Sequence, residues 1–85
     1  MEKTQLVRRL KLIEGQVRGL QRLITEGTYC IDVITQTSAV KQALSNVEDA
    51  LLEEHLGHCS VNQIKKGQTA KAVKEILKVY KLKRK

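Results

Sequence analysis

Three side chains of this 85-residue chain can act as soft metal ligands: Cys30, His55 and Cys59. His55 and Cys59 are four residues apart, so on a helix they share a face one turn from each other and make a chelating pair. Cys30 is remote. If the chain between is one helix, a rise of about 1.5 Å per residue separates Cys30 from His55 by roughly 37 Å. One molecule then cannot close a three-ligand site. An antiparallel neighbour brings its own Cys30 beside the first molecule's His55 and Cys59, and two-fold symmetry makes two such sites per dimer. Two thiolates and one imidazole suit Cu(I), which accepts few ligands, whereas structural Zn(II) normally takes four protein ligands; zinc completed by water is the alternative. His58 points about 100° away from Cys59 around a helix and reads as a surface histidine. A buried cysteine is also simply a small hydrophobe, so packing is the competing reading of Cys30.

The elements that must position these residues are helical. Leu6, Leu10, Ile13, Val17, Leu20 and Ile24 recur at spacings of four and three and predict a first helix over about 3–26, ended by Gly27. Thr28 is the expected N-cap of a second helix over about 28–65, whose stripe is Val33, Val40, Leu44, Val47 and Leu51, with Gly57 its one strong breaker. Gly67 makes the next turn, and a third helix is expected over about 68–80, with Ala72, Val73, Ile76 and Leu77 inward and residues 81–85 as a basic tail. Gly15 and Gly19 lie four apart inside the first helix, where glycine costs about 1 kcal/mol against alanine and close approach of another helix or of DNA backbone is the plain reason for it. A second helix of this length spans about 57 Å and needs apolar cover from outside its own chain. Pairing the first two helices of two molecules in an antiparallel four-helix bundle buries both stripes and brings Cys30 to the opposite His55 and Cys59.

Composition agrees. Eighty-five residues without Pro, Trp or Phe make one small domain, residues 1–85, of all-α class, with oligomerisation expected to supply the rest of its core. No apolar run is long enough to span a membrane and no signal-peptide core follows the N-terminus, so a cytoplasmic protein with reduced thiols is expected. The net charge of +7 is unevenly spread: +3 over residues 1–29, −4 over 30–60 and +8 over 61–85. Basic ends suit a polyanion such as nucleic acid, where each neutralised phosphate releases counterions. Arg9, Arg18, Lys65 and Lys66 are the candidates, with arginine preferred for its bidentate grip on phosphate or guanine; solvated helix faces and a salt bridge to Glu14 are the alternative. No acid/base pair, glycine-rich phosphate loop or activated nucleophile stands out, so an enzyme is not expected.

The run Arg9-Leu10-Lys11-Leu12-Ile13-Glu14-Gly15-Gln16-Val17-Arg18-Gly19, then Tyr29-Cys30-Ile31-Asp32-Val33 and Glu53-Glu54-His55-Leu56-Gly57-His58-Cys59, resembles the copper-sensing repressors of the CsoR/RcnR family over nearly the whole chain. The resemblance implies an all-α protein of three helices per chain, an antiparallel four-helix-bundle dimer that assembles into a tetramer, with no helix-turn-helix. It implies a repressor that binds operator DNA in the metal-free form and releases it on binding Cu(I). It maps the ligands, shared across the dimer interface, onto Cys30, His55 and Cys59, and it places Tyr29 and Glu75 around them as hydrogen-bonding partners.

Other branches of the family fit less well. Its nickel and cobalt sensors add an N-terminal histidine and replace the second cysteine by histidine, where this chain has Lys3 and Cys59. Its formaldehyde sensors use an N-terminal proline, which this chain lacks, and its persulfide sensors lack the histidine that aligns with His55. A repressor of the same fold answering nickel, zinc or a thiol-reactive molecule remains the alternative. One departure is Asn46, where copper sensors can carry a basic residue. The mechanism implied is a linkage: a metal that weakens DNA binding is itself bound more weakly in the presence of DNA by the same factor.

Overall fold

The structure, a computed structural model, describes residues 3–84, and its elements are all helical: α1 (Lys3–Thr25), α2 (Cys30–Glu54), a π-helical turn (His55–Cys59), α3 (Ser60–Lys65) and α4 (Thr69–Lys83). No coil residue separates α2, the π turn and α3, so three helical runs are present, as the periodicities predict. Among the described residues no helix is long and apolar enough to cross a membrane.

Both inter-helix turns are built by the same device. Gly27 has φ +73°, its N–H donates to the carbonyl of Ile24, and the Thr28 N–H donates to that of Leu23. This is a Schellman cap, with glycine where the left-handed conformation is needed. Thr28 is taken up in closing α1 and is not the N-cap that its side chain suggested, because α2 begins one residue later than a cap at Thr28 requires. The carbonyl of Tyr29 instead accepts from Asp32 and Val33 and starts α2 at Cys30. Gly67, at φ +77°, repeats the cap with bonds from Gly67 to Ile64 and from Gln68 to Gln63, and the Gln68 carbonyl then accepts from Ala72 to begin α4.

The chain divides into two compact units, the first ending at Leu51 and the second beginning at Leu52. In the first, Leu6 and Ile13 of α1 cluster with Val40 and Val47 of α2, with Leu20, Ala43 and Ala50 packed against them. That register pairs the start of α1 with the end of α2, as an antiparallel hairpin requires. The predicted stripes are thus split into two rows. Leu6, Ile13 and Leu20, seven apart, turn inward with Val40 and Val47, while Leu10, Val17, Ile24, Leu44 and Leu51 stay 39–67% exposed.

In the second unit α4 packs back on α3, with the small residues Ser60 and Ala72 buried. The inward face of α4 is Ala72, Glu75, Ile76 and Val79; Val73 and Leu77, expected inward, are each 50% exposed. Burying a residue as small as Ala72 brings the two helices close, and this turns the packed face toward Glu75 and Val79. The expected basic tail is also partly helix: α4 runs through Lys83, since lysine and leucine favour helix and cations suit a helix C-terminus. Arg84 follows, its guanidinium 5.6 Å from the centre of the Tyr80 ring, and Lys85 lies outside the described residues.

Candidate metal centre

His55 and Cys59 are the first and last residues of the π turn. The Ser60 N–H donates to the His55 carbonyl, a five-residue spacing that fits one more residue into the turn than an α-helix holds. The wider turn falls on the sequence's own weak point, since Gly57 is at its centre and glycine is the poorest helix former here. Helical structure therefore passes through Gly57 without ending, but with its register altered between the two candidate ligands. Single π turns inside helices occur frequently at functional sites.

Around His55 the second unit builds a short polar relay. The His55 Nε2 lies 3.3 Å from Oε2 of Glu75, whose other oxygen, Oε1, accepts a 3.0 Å hydrogen bond from the Gln63 amide. The histidine and glutamate side chains are 31% and 37% exposed, so the pair is partly shielded from water. With Nε2 facing a carboxylate, Nδ1 is the ring nitrogen left to bind a metal, since a ligating histidine commonly gives its other N–H to such a partner. Glu75, which only the family resemblance had placed near the candidate ligands, is in contact with one of these candidates, His55.

Gln63 is the residue that sequence reasoning missed. Its position carried a signal, because His55, Cys59 and Gln63 recur every four residues along one helical run. The Oε1 of Gln63 and the Oγ of Ser60 are buried without a hydrogen-bond partner.

Both cysteines are free thiols and both are exposed, so neither fills the core of the chain as the packing alternative required. His58 is exposed, as expected of a surface histidine. Cys30 and the exposed ring of Tyr29 belong to the first unit, at the start of α2. Among the described residues no group of three or more His, Cys, Asp or Glu side chains is gathered that could hold a metal ion. The donor chemistry nonetheless fits a soft ion: an imidazole held from behind by a carboxylate, and accessible sulfur.

The basic candidates are all exposed. Arg18 is held 3.0 Å from Glu14 in an i, i+4 pair whose side chains are 66% and 70% exposed, a contact worth only about 0.3–0.5 kcal/mol and readily exchanged for another anion. Arg9 lines a cleft of about 290 Å³ between α1 and α2, with Leu12, Ile13, Gln16, Ala43 and Asn46. Asn46, the departure noted in the sequence, thus shares a cleft with Arg9, and its side-chain oxygen accepts from Gln42. Lys65 ends α3 and Lys66 follows it in the turn.

A model of the metal-sensitive transcriptional repressor family matches residues 2–81. A copper-sensing transcriptional repressor of Bacillus subtilis, CsoR, is 48% identical over 80 residues, which cover 94% of this chain and 79% of that protein. The copper-sensing repressor RicR of Mycobacterium tuberculosis is 50% identical over 66 residues, covering 78% and 69%. The Cu(I)-bound crystal structure of the copper-sensing repressor CsoR from Geobacillus thermodenitrificans superposes with a TM-score of 0.89 at 39% identity, covering all of this chain and 92% of that one. The nickel-responsive regulator InrS superposes at 0.81 with 28% identity, covering 95% and 91%.

Proposed function

The chain belongs to the metal-sensitive transcriptional repressors, and from that premise we propose that it is a copper(I)-responsive repressor, which holds operator DNA when metal-free and releases it on binding Cu(I). The observation that carries this reading is the His55–Cys59 pair at the two ends of one π turn, with Glu75 at Nε2 and Nδ1 left for metal. That pair gives one nitrogen and one sulfur. The third donor is Cys30, and a second copy of the chain supplies it. Of the two solved structures, the Cu(I)-bound copper sensor shares 39% of its aligned residues with this chain against 28% for the nickel-responsive regulator, and Cys59 keeps the donor set soft.

Dimerisation is supported by the hairpin of the first unit, which leaves one row of each stripe uncovered: Leu10, Val17 and Ile24 on α1, Leu44 and Leu51 on α2. An antiparallel copy covers both rows in a four-helix bundle, and a tetramer follows by pairing of dimers. Tyr29 stands beside Cys30, where its hydroxyl can reach the shared site. Arg9, Arg18, Lys65 and Lys66 hold phosphate or base edges of the operator. The protein works in the cytoplasm as a regulator, not as an enzyme.

Release is a linkage effect. Cu(I) favours an arrangement of the helices whose basic surfaces no longer match DNA, so copper and operator lower each other's affinity by one common factor. Anaerobic titration with Cu(I), followed by thiolate charge-transfer absorbance and by mobility shift of the operator, tests the reading. One ion per chain with loss of the DNA complex is expected, and both effects disappear in Cys30→Ala. Preference for Ni(II), or DNA binding indifferent to any metal, overturns it.

A further inference from the structure

We infer that Gln63 is a positioning residue of the metal site: by donating to Glu75 it fixes the carboxylate against His55 and so decides which histidine nitrogen is offered to the metal. The inference rests on the reading of His55 and Cys59 as ligands.

Glu75 stands between two partners, with Oε2 at 3.3 Å from His55 Nε2 and Oε1 accepting from Gln63 Nε2 at 3.0 Å. A carboxylate held at one oxygen only can swing about its side-chain torsions. Held at both, it presents a fixed acceptor to the imidazole, and this fixes the ring's tautomer. The amide can serve in one orientation only. Turned over, it would set its own oxygen against the carboxylate, lone pair against lone pair. In the orientation found, that oxygen is buried with no partner. An unpaired buried acceptor is costly, so the bond to Glu75 prevails over the amide's own satisfaction.

The placement also makes a connection. Gln63 is in α3, four residues beyond Cys59, while Glu75 is in α4, so the bond ties the ligand-bearing helical run to the last helix. Through Glu75, the position of the His55 ring is thereby coupled to α4.

Two full-length variants test this. Gln63→Leu keeps the size of the side chain and removes the donor; Gln63→Lys restores a donor toward Glu75. In metal-free protein, ¹⁵N resonances of His55 are expected to show the proton on Nε2 in the native chain and in Gln63→Lys, and a mixture of tautomers in Gln63→Leu. Copper titration of Gln63→Leu is expected to keep one Cu(I) per chain with affinity about tenfold lower, the low end of what loss of an outer partner costs a metal site. Gln63→Lys recovers most of that loss, which a purely structural role for the amide does not predict. Should Gln63→Leu fail to fold, Gln63→Glu takes its place, since a second carboxylate facing Glu75 must bind copper more weakly than Gln63→Lys. Native affinity and native His55 resonances in Gln63→Leu overturn the inference while leaving the ligand assignment intact. No copper binding by the native chain overturns both.

Discussion

The uncovered row on the hairpin gives a number that can be tested. Leu44 is 43% exposed within its own chain, although Val40 and Val47 of the same stripe are buried. Full burial of a leucine is worth about 1.5–3 kcal/mol, so covering the remaining exposed fraction adds about 1 kcal/mol per chain. A two-fold interface contains the residue twice. Leu44→Ala should therefore weaken dimerisation by about 2 kcal/mol, roughly thirtyfold in the dissociation constant. Alanine is the best helix former, so α2 itself is not weakened by the change. Sedimentation velocity over a concentration series measures the constant, with Lys41→Ala, on the same helix, as the control expected to leave it unchanged. The native chain should sediment as a dimer or larger, and Leu44→Ala should show monomer at concentrations where the native chain shows none. An unchanged association constant in Leu44→Ala would refute the reasoning, because it would mean that another surface joins the copies.

Other perturbations have equally definite outcomes. Gly27→Ala must place a Cβ at φ +73° in the cap that closes α1, costing about 1 kcal/mol and lowering the thermal midpoint by about 4–8 °C. Gly19→Ala meets no atom within 4 Å in the chain and should raise that midpoint through better helix propensity; if Gly19 exists for close approach, the same variant loses DNA binding or assembly. Glu75→Gln removes the charge beside His55 and should lower Cu(I) affinity about 10–100-fold without changing the stoichiometry, read by competition with a chromogenic copper chelator. Arg9→Ala should reduce the salt dependence of operator binding by about one phosphate contact, seen as a shallower slope of log affinity against log salt. Arg18→Ala should do the same only if that side chain leaves Glu14 for the phosphate.

Periodicity made most of this molecule legible. Leu6, Ile13, Val40 and Val47 could be placed in a core from their spacing alone, and Gly27 and Gly67 could be placed in the turns because only a left-handed residue closes such caps at low cost. The ends of elements were harder to read. Thr28 has the side chain of an N-cap, but α2 starts from the Tyr29 carbonyl one residue on, a shift set by the Schellman cap that closes α1 and not visible in residue type. On α4, Ala72 and Ile76 turn inward as their spacing suggested, but Val73 and Leu77 are 50% exposed, and the inward place of the charged Glu75 is not marked by apolar periodicity. Among the candidate ligands, His55 and Cys59 could be singled out by their four-residue spacing. The π turn between them could not, since a register change leaves no mark but Gly57. Gln63 escaped notice because an amide has no chemistry of its own here, and its partner Glu75 is twelve residues away in another helix.

The central claim, that two copies of the chain complete each other's site, is tested most directly by complementation. Cys30→Ala and His55→Ala/Cys59→Ala chains are each mixed to exchange subunits and titrated with Cu(I). Neither variant alone should hold copper at a three-ligand site. In a mixed dimer, one site has lost every ligand while the other combines an intact Cys30 from one chain with an intact His55 and Cys59 from its partner. The account predicts one tightly bound Cu(I) per mixed dimer, with the charge-transfer signature of the native site restored. A mixture that binds no more copper than its separate parts contradicts it.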